Sequence, residues 1–223
     1  MPCLLFIDTT AAHSAIHLLT AANTIKSFYS NEPKLQAALI NIAIDDLFRE
    51  AGVSLSDLDG VVVNAGPGSY TDLRIALSCA KGLCFALDIP LIATNKLQLI
   101  ALTYLHQVTN NILVVLQART DEYFVAAYTS SFRELQSPKH MFRADVENLV
   151  KDSDWDTIIV VGDETIFESS ALHLNNELEI NSTKWTELGL SMYESQQFEN
   201  IAYFEPLYLK AVYTTVPRNK SLK

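Results

Sequence analysis

The sequence predicts an α/β chain built as two lobes with a tail. Three observations lead there. Short apolar runs alternate with helix-period segments over the first hundred residues. Strand-like runs then restart near Ile112, so the second half opens as the first did. Charge is also unevenly spread: residues 1–104 carry 9 acids and 6 bases, 105–204 carry 16 and 6, and 205–223 carry 1 and 4. The expected division is 1–104 for the first lobe and 105–204 for the second, with 205–223 as a tail that returns to the first lobe. A length of 223 residues is long for one compact unit and short for two independent ones.

Element by element, Leu4 to Asp8 reads as a buried strand, Ser14 to Leu19 as a second and Thr24 to Tyr29 as a third. Leu35 to Ala51 has helical spacing, and Gly52 follows as its C-terminal cap. Val61 to Val63 reads as strand, and Gly66-Pro67-Gly68 breaks the chain. A helix over Asp72–Leu87 follows, with Ser69 or Thr71 as N-cap. Leu91 to Ala93 is strand-like and Lys96 to Leu105 helical. In the second half, Ile112 to Ala118 and Tyr123 to Tyr128 form a hairpin around Arg119-Thr120-Asp121. Asp145 to Lys151 reads as helix, Thr157 to Gly162 as strand and Ser191 to Tyr203 as helix.

Composition narrows the function classes. With 49% hydrophobic residues the chain does not match disordered segments. No stretch reaches the ~18 apolar residues of a membrane span, and the start lacks a basic leader region, so a cytoplasmic setting is expected. Cys3, Cys79 and Cys84 are few and sit in apolar contexts, against a disulfide framework or a zinc cluster. A net charge of −10 excludes the basic footprint of a stand-alone nucleic-acid binder.

Five features could carry chemistry or binding. Asp8-Thr9-Thr10 ends a strand with a carboxylate and hydroxyls, able to hold water or Mg²⁺ near a phosphate; the simpler reading is a local turn. Asn64 to Arg74 runs strand, Gly-Pro-Gly, hydroxyls, helix, an arrangement that can present backbone N–H groups to an anion through Gly66, Gly68 and Ser69. It lacks the Walker lysine and the dinucleotide glycine spacing. The helix over 72–87 is apolar around most of its circumference, which requires burial on more than one side, by the fold itself or by a partner. His13 and His17 stand four apart on a turn and strand, ~13 Å and too far to share one ion, so the histidines read as ordinary surface or turn residues. The tail's Arg218, Lys220 and Lys223 read as a solvated terminus.

The string GPGSYTDLRIALSCAKGLCFALDIPLIA, residues 66–93, resembles the TsaB (YeaZ) family, the non-catalytic partner in bacterial synthesis of N6-threonylcarbamoyladenosine on tRNA. LLFIDTTAAHSAIHLL, QARTDEYFVAAY and PLYLKAVYTT are similar to the family's opening, hairpin and closing segments. The resemblance implies the fold shared by actin, Hsp70 and sugar kinases, two lobes that each place helices on a mixed sheet. It also implies a scaffold with no catalytic residue and no metal. The catalytic TsaD-like relatives carry a metal-binding HxxxH after this segment, and the matching positions here are Lys96 and Ile100, which cannot ligate as histidine does.

Four departures stand out: Asp72 and Ala76 replace two glycines, Gln117 an aspartate, and Gln36, Ala37 and Ala38 a His-Ser-Glu cluster. Asp72 suits the start of a helix but repels a phosphate, so the loop is expected to hold no nucleotide in the isolated chain. The expected partner is a TsaD-like subunit, bound through the helices at 35–51 and 72–87 by Leu35, Leu39, Ile42, Leu73, Ala76, Leu77 and Ala80. A homodimer through the same surface is expected in isolation. A TsaE-like ATPase would visit the complex, a TsaC-like enzyme would supply threonylcarbamoyl-adenylate, and tRNA and nucleotide would be met only through the assembly. The rival readings are an ATP-hydrolysing enzyme using Asp8 and a metallopeptidase.

Overall fold

The structure is a computed structural model that describes residues 1–10, 14–30, 36–151, 155–163, 166–167, 172–174 and 180–210. Leu35, His13 and the tail basic residues Arg218, Lys220 and Lys223 lie outside the described residues.

The first sheet contains β1 (Leu4–Asp8), β2 (Ser14–Leu19), β3 (Ile25–Ser30), β4 (Gly60–Asn64) and β5 (Leu91–Thr94). Its order is β3-β2-β1-β4-β5: β1, β2 and β3 form an antiparallel meander, and β4 and β5 add in parallel. Strand parity sorts its side chains onto two faces. Leu5, Ile7, Val61 and Val63 point to one face, which is covered by α1 (Gln36–Ala51) and α2 (Tyr70–Leu87). Leu4, Phe6 and Val62 point to the other, covered by α3 (Lys96–Tyr104) and a later helix. Gly52 closes α1 at φ +67.

The second sheet contains β6 (Asn111–Arg119), β7 (Glu122–Thr129), β8 (Glu134–Phe142), β9 (Thr157–Val161) and β10 (Leu172–Leu174). Its order, β10-β9-β6-β7-β8, repeats the first sheet, a meander with two parallel strands added beside its first. Leu97, Ile100 and Ala101 of α3 cover one face, and Val146 of α4 (Arg143–Lys151) packs on the other. Because α3 contributes Leu99 to the first sheet's core and Ile100 to the second's, it joins the two lobes. The two mixed sheets with flanking helices are the predicted fold class. Among the described residues no helix is long and apolar enough to cross a membrane.

Two expectations need correction here. The helix expected at Ser191–Tyr203 is α5 (Ser182–Glu194). Asn181 starts it, its side chain accepting from the Lys184 N–H at 3.0 Å. It stops before Gln196, at φ +56, and Glu199 then donates its N–H to the Leu91 carbonyl at 2.8 Å. Although α5 falls within 105–204, it packs on the first sheet, with Gly189 so close to Phe6 that a Cβ there would meet the ring at 2.5 Å. His17 is no surface residue. It sits on the β2 face under α5, fully buried, with Nδ1 2.8 Å from Ser27 Oγ and the Trp185 ring edge-on.

Candidate functional site

The loop at the carboxyl ends of β1 and β4 is where an open α/β sheet offers a crevice to a ligand. The fold gathers Asp8, Thr9, Thr10, Asn64, Gly66, Gly68 and Lys96 there. Asp8 is buried, and its Oδ1 accepts from both the N–H and the hydroxyl of Thr10, each at 2.7 Å. Asn64 donates to the Thr10 hydroxyl at 3.2 Å and accepts from the Gly66 N–H at 3.2 Å. Thr9 donates to the Asp72 carbonyl at 2.7 Å, which ties the strand end to the first turn of α2. Ser69 occupies the N-cap position, but its side chain makes no capping bond.

Glycine at position 68 serves close approach. A Cβ there would lie 2.9 Å from Thr10 Cβ and 3.1 Å from its carbonyl oxygen. The room that the glycine opens is therefore filled by Thr10. The Gly66–Pro67 peptide is cis.

Lys96 enters this cluster from the start of α3. Its N–H donates to the Gly66 carbonyl at 2.7 Å and its ammonium to the Thr10 carbonyl at 3.3 Å. Only 7% of the residue is exposed. Burial lowers its pKa, and the Asp8 charge opposes that shift. A lysine at a helix start reads as solvated in a sequence, so its inward course was not legible. Among the described residues no group of three His, Cys, Asp or Glu side chains could hold a metal ion.

Residues 205–210 run back over this region. The Leu207 N–H donates to the Ala65 carbonyl at 2.8 Å, and Tyr208 stacks on Tyr70 and accepts from Arg74 Nε at 3.1 Å. Lys210 pairs with Glu122 of β7.

The second candidate is the surface of α1 and α2. Leu73, Ala76, Leu77 and Ala80, expected at an interface, are instead buried beneath it. Ala76, Leu77 and Ala80 share one core cluster with the first sheet and with Ala43, Ile44 and Leu47 of α1, so the small residues serve helix packing within the chain. Leu39 is half-buried, whereas Ile42 is 57% exposed. The outer face also carries Phe85, 84% exposed, which the periodicity did not single out because α2 is apolar on several sides. Ser78, Gly82 and Ala86 lie exposed on the same helix, and Cys79 contacts Asn41 of α1 across the seam.

The model of the family described as TsaD: tRNA N6-adenosine threonylcarbamoyltransferase matches residues 34–146, just over half of the chain. The tRNA threonylcarbamoyladenosine biosynthesis protein TsaB of Bacillus subtilis is 27% identical over 154 residues, 68% of this chain and 67% of that protein. A tRNA N6-adenosine threonylcarbamoyltransferase from Ruegeria pomeroyi is 43% identical over 70 residues, 31% of this chain but only 19% of the transferase. A Pseudomonas aeruginosa protein described as similar to peptidase YeaZ superposes with a TM-score of 0.80 at 24% identity, covering 94% of this chain and 100% of that one. The fold, with its repeated meander-plus-parallel sheets, is thus that of the YeaZ structures. By these matches the chain belongs to the TsaD-related family, in its TsaB/YeaZ branch.

Proposed function

We propose that this chain is a non-catalytic scaffold in the synthesis of N6-threonylcarbamoyladenosine on tRNA, and that it works by binding and positioning a TsaD-type catalytic subunit. The carrying observation is the outer face of α1 and α2, where Ile42 and Phe85 project into solvent from a helix pair whose inner side packs into the core. Exposed aromatic and aliphatic side chains grouped on one face favour a protein partner.

The family model spans both helices, so a TsaD-type chain would offer an equivalent pair. Two such pairs would meet about a pseudo-twofold axis as four packed helices, and the same surface would make a homodimer in the partner's absence. The acidic chain would reach tRNA only through the complex. A TsaE-like ATPase would join the assembly, nucleotide would bind only at its interfaces, and the setting would be the cytoplasm.

The test is to mix the purified chain with the TsaD-type protein of the same organism and measure mass by light scattering on a sizing column. A heterodimer that replaces a weaker homodimer is the expected result. Absence of association, with and without ATP, overturns the reading.

A further inference from the structure

The strand-end cluster has the oxygen-rich composition that suits a hard divalent cation: a carboxylate, two hydroxyls, a side-chain amide and main-chain carbonyls. Several of these groups are already engaged within the chain, and a cation is already supplied. Asp8 Oδ1 already accepts two bonds from Thr10, and the Thr10 hydroxyl also accepts from Asn64. Thr10 fills the space that Gly68 opens. The Thr10 carbonyl takes the Lys96 ammonium, a positive charge delivered from α3 into a site that also holds the buried Asp8 carboxylate.

We propose that Lys96 is the resident cation of this site, a tethered ammonium that takes the place of a divalent metal and keeps Mg²⁺ or Mn²⁺, and any nucleotide they would bring, away from Asp8. A buried charge must be compensated, and the nearby Asp8 carboxylate favours the charged form of Lys96 against the effect of burial. A second cation would face the ammonium's repulsion at short range in a poorly solvated site. Scaffold binding by α1 and α2 stands or falls separately, since Lys96 lies off their outer face.

Mn²⁺ titration followed by paramagnetic broadening of backbone amides is the test. In the native chain the Thr9, Thr10 and Gly68 amides should stay sharp, and selective broadening there would overturn the proposal whatever the variants do. In Lys96→Met the same amides should broaden saturably, with Mn²⁺ affinity raised at least about tenfold. The gain should vanish in Lys96→Met combined with Asp8→Asn. A folded Lys96→Met that gains no Mn²⁺ affinity overturns the idea, as does a gain that survives loss of Asp8. Lys96→Gln serves the same comparison if the methionine variant does not fold.

Discussion

Trp185 of α5 donates its indole N–H to Thr94 Oγ1 at 3.1 Å and lies edge-on to Phe6, their ring centroids 5.4 Å apart. One side chain thus fastens a helix from the last quarter of the sequence to two strands of the first sheet. Trp185→Ala should cost about 3–5 kcal/mol of unfolding free energy, the range for emptying a fully packed aromatic site. Trp185→Phe, which keeps most of the packing and loses the hydrogen bond, should cost clearly less. Urea denaturation of the two variants checks the order; equal losses would mean the packing term is small.

Much of the fold was legible because the buried parallel strands announce themselves. The apolar runs ending at Asp8, at Asn64 and at Val161 are mostly β-branched or aliphatic and end at or next to polar or glycine residues, and each is a strand. The hairpin around Asp121 was legible for the same reason, with polar turn residues between two apolar runs. β8 was not: it is an edge strand with no fully buried residue and contains Pro138, which only an edge or a bulge tolerates. The position of α5 was missed because the signal lay in its cap, Asn181-Ser182-Thr183, rather than in its periodicity. At the candidate site, Asp8, Gly66 and Gly68 could be read from the loop chemistry. The inward reach of Lys96 and the outward one of Phe85 could not, since both break the usual sorting of charged and apolar residues.

Gly68 and Gly82 should respond to alanine in opposite ways. Gly68→Ala would push a methyl into Thr10 at 2.9 Å, an overpacking change worth about 1–3 kcal/mol of destabilisation. Gly82, inside α2, has nothing within 4 Å of the same position. Gly82→Ala should therefore stabilise the chain by about 0.5–1 kcal/mol through helix propensity. Thermal midpoints moving in the same direction for both variants would contradict the packing described here.

His17 makes stability depend on pH. Burial pushes its imidazole down from the usual 6.5 to about 4, against an upward pull from Asp8. Ser27, Tyr29 and Trp185 surround it, and among the described residues its Nε2 has no hydrogen-bond partner. The folded state thus holds the neutral ring while the unfolded chain protonates below 6.5. The stabilising contribution is complete above that pH, fades as pH falls through the window down to about 4, and amounts to at most about 3 kcal/mol. His17→Leu should flatten the loss of stability between pH 7 and pH 4.5 relative to the native chain. Parallel profiles for the two proteins would show that His17 does not titrate in this way.

The outer face of α1 and α2 offers the sharpest separation of folding from association. Ile42 and Phe85 are exposed in the single chain, so a charged replacement there removes little packing within it. Ile42→Asp and Phe85→Asp should leave the thermal midpoint nearly unchanged, within the about 0.5 kcal/mol typical of surface changes. Each should weaken association with a TsaD-type subunit by at least tenfold, about 1.4 kcal/mol, because a carboxylate would have to be desolvated at the interface. Leu77→Asp is the contrasting control: its side chain is buried in the core, so it should unfold the chain rather than merely dissociate it. If the two surface variants bind like the native chain while remaining folded, the partner uses another face.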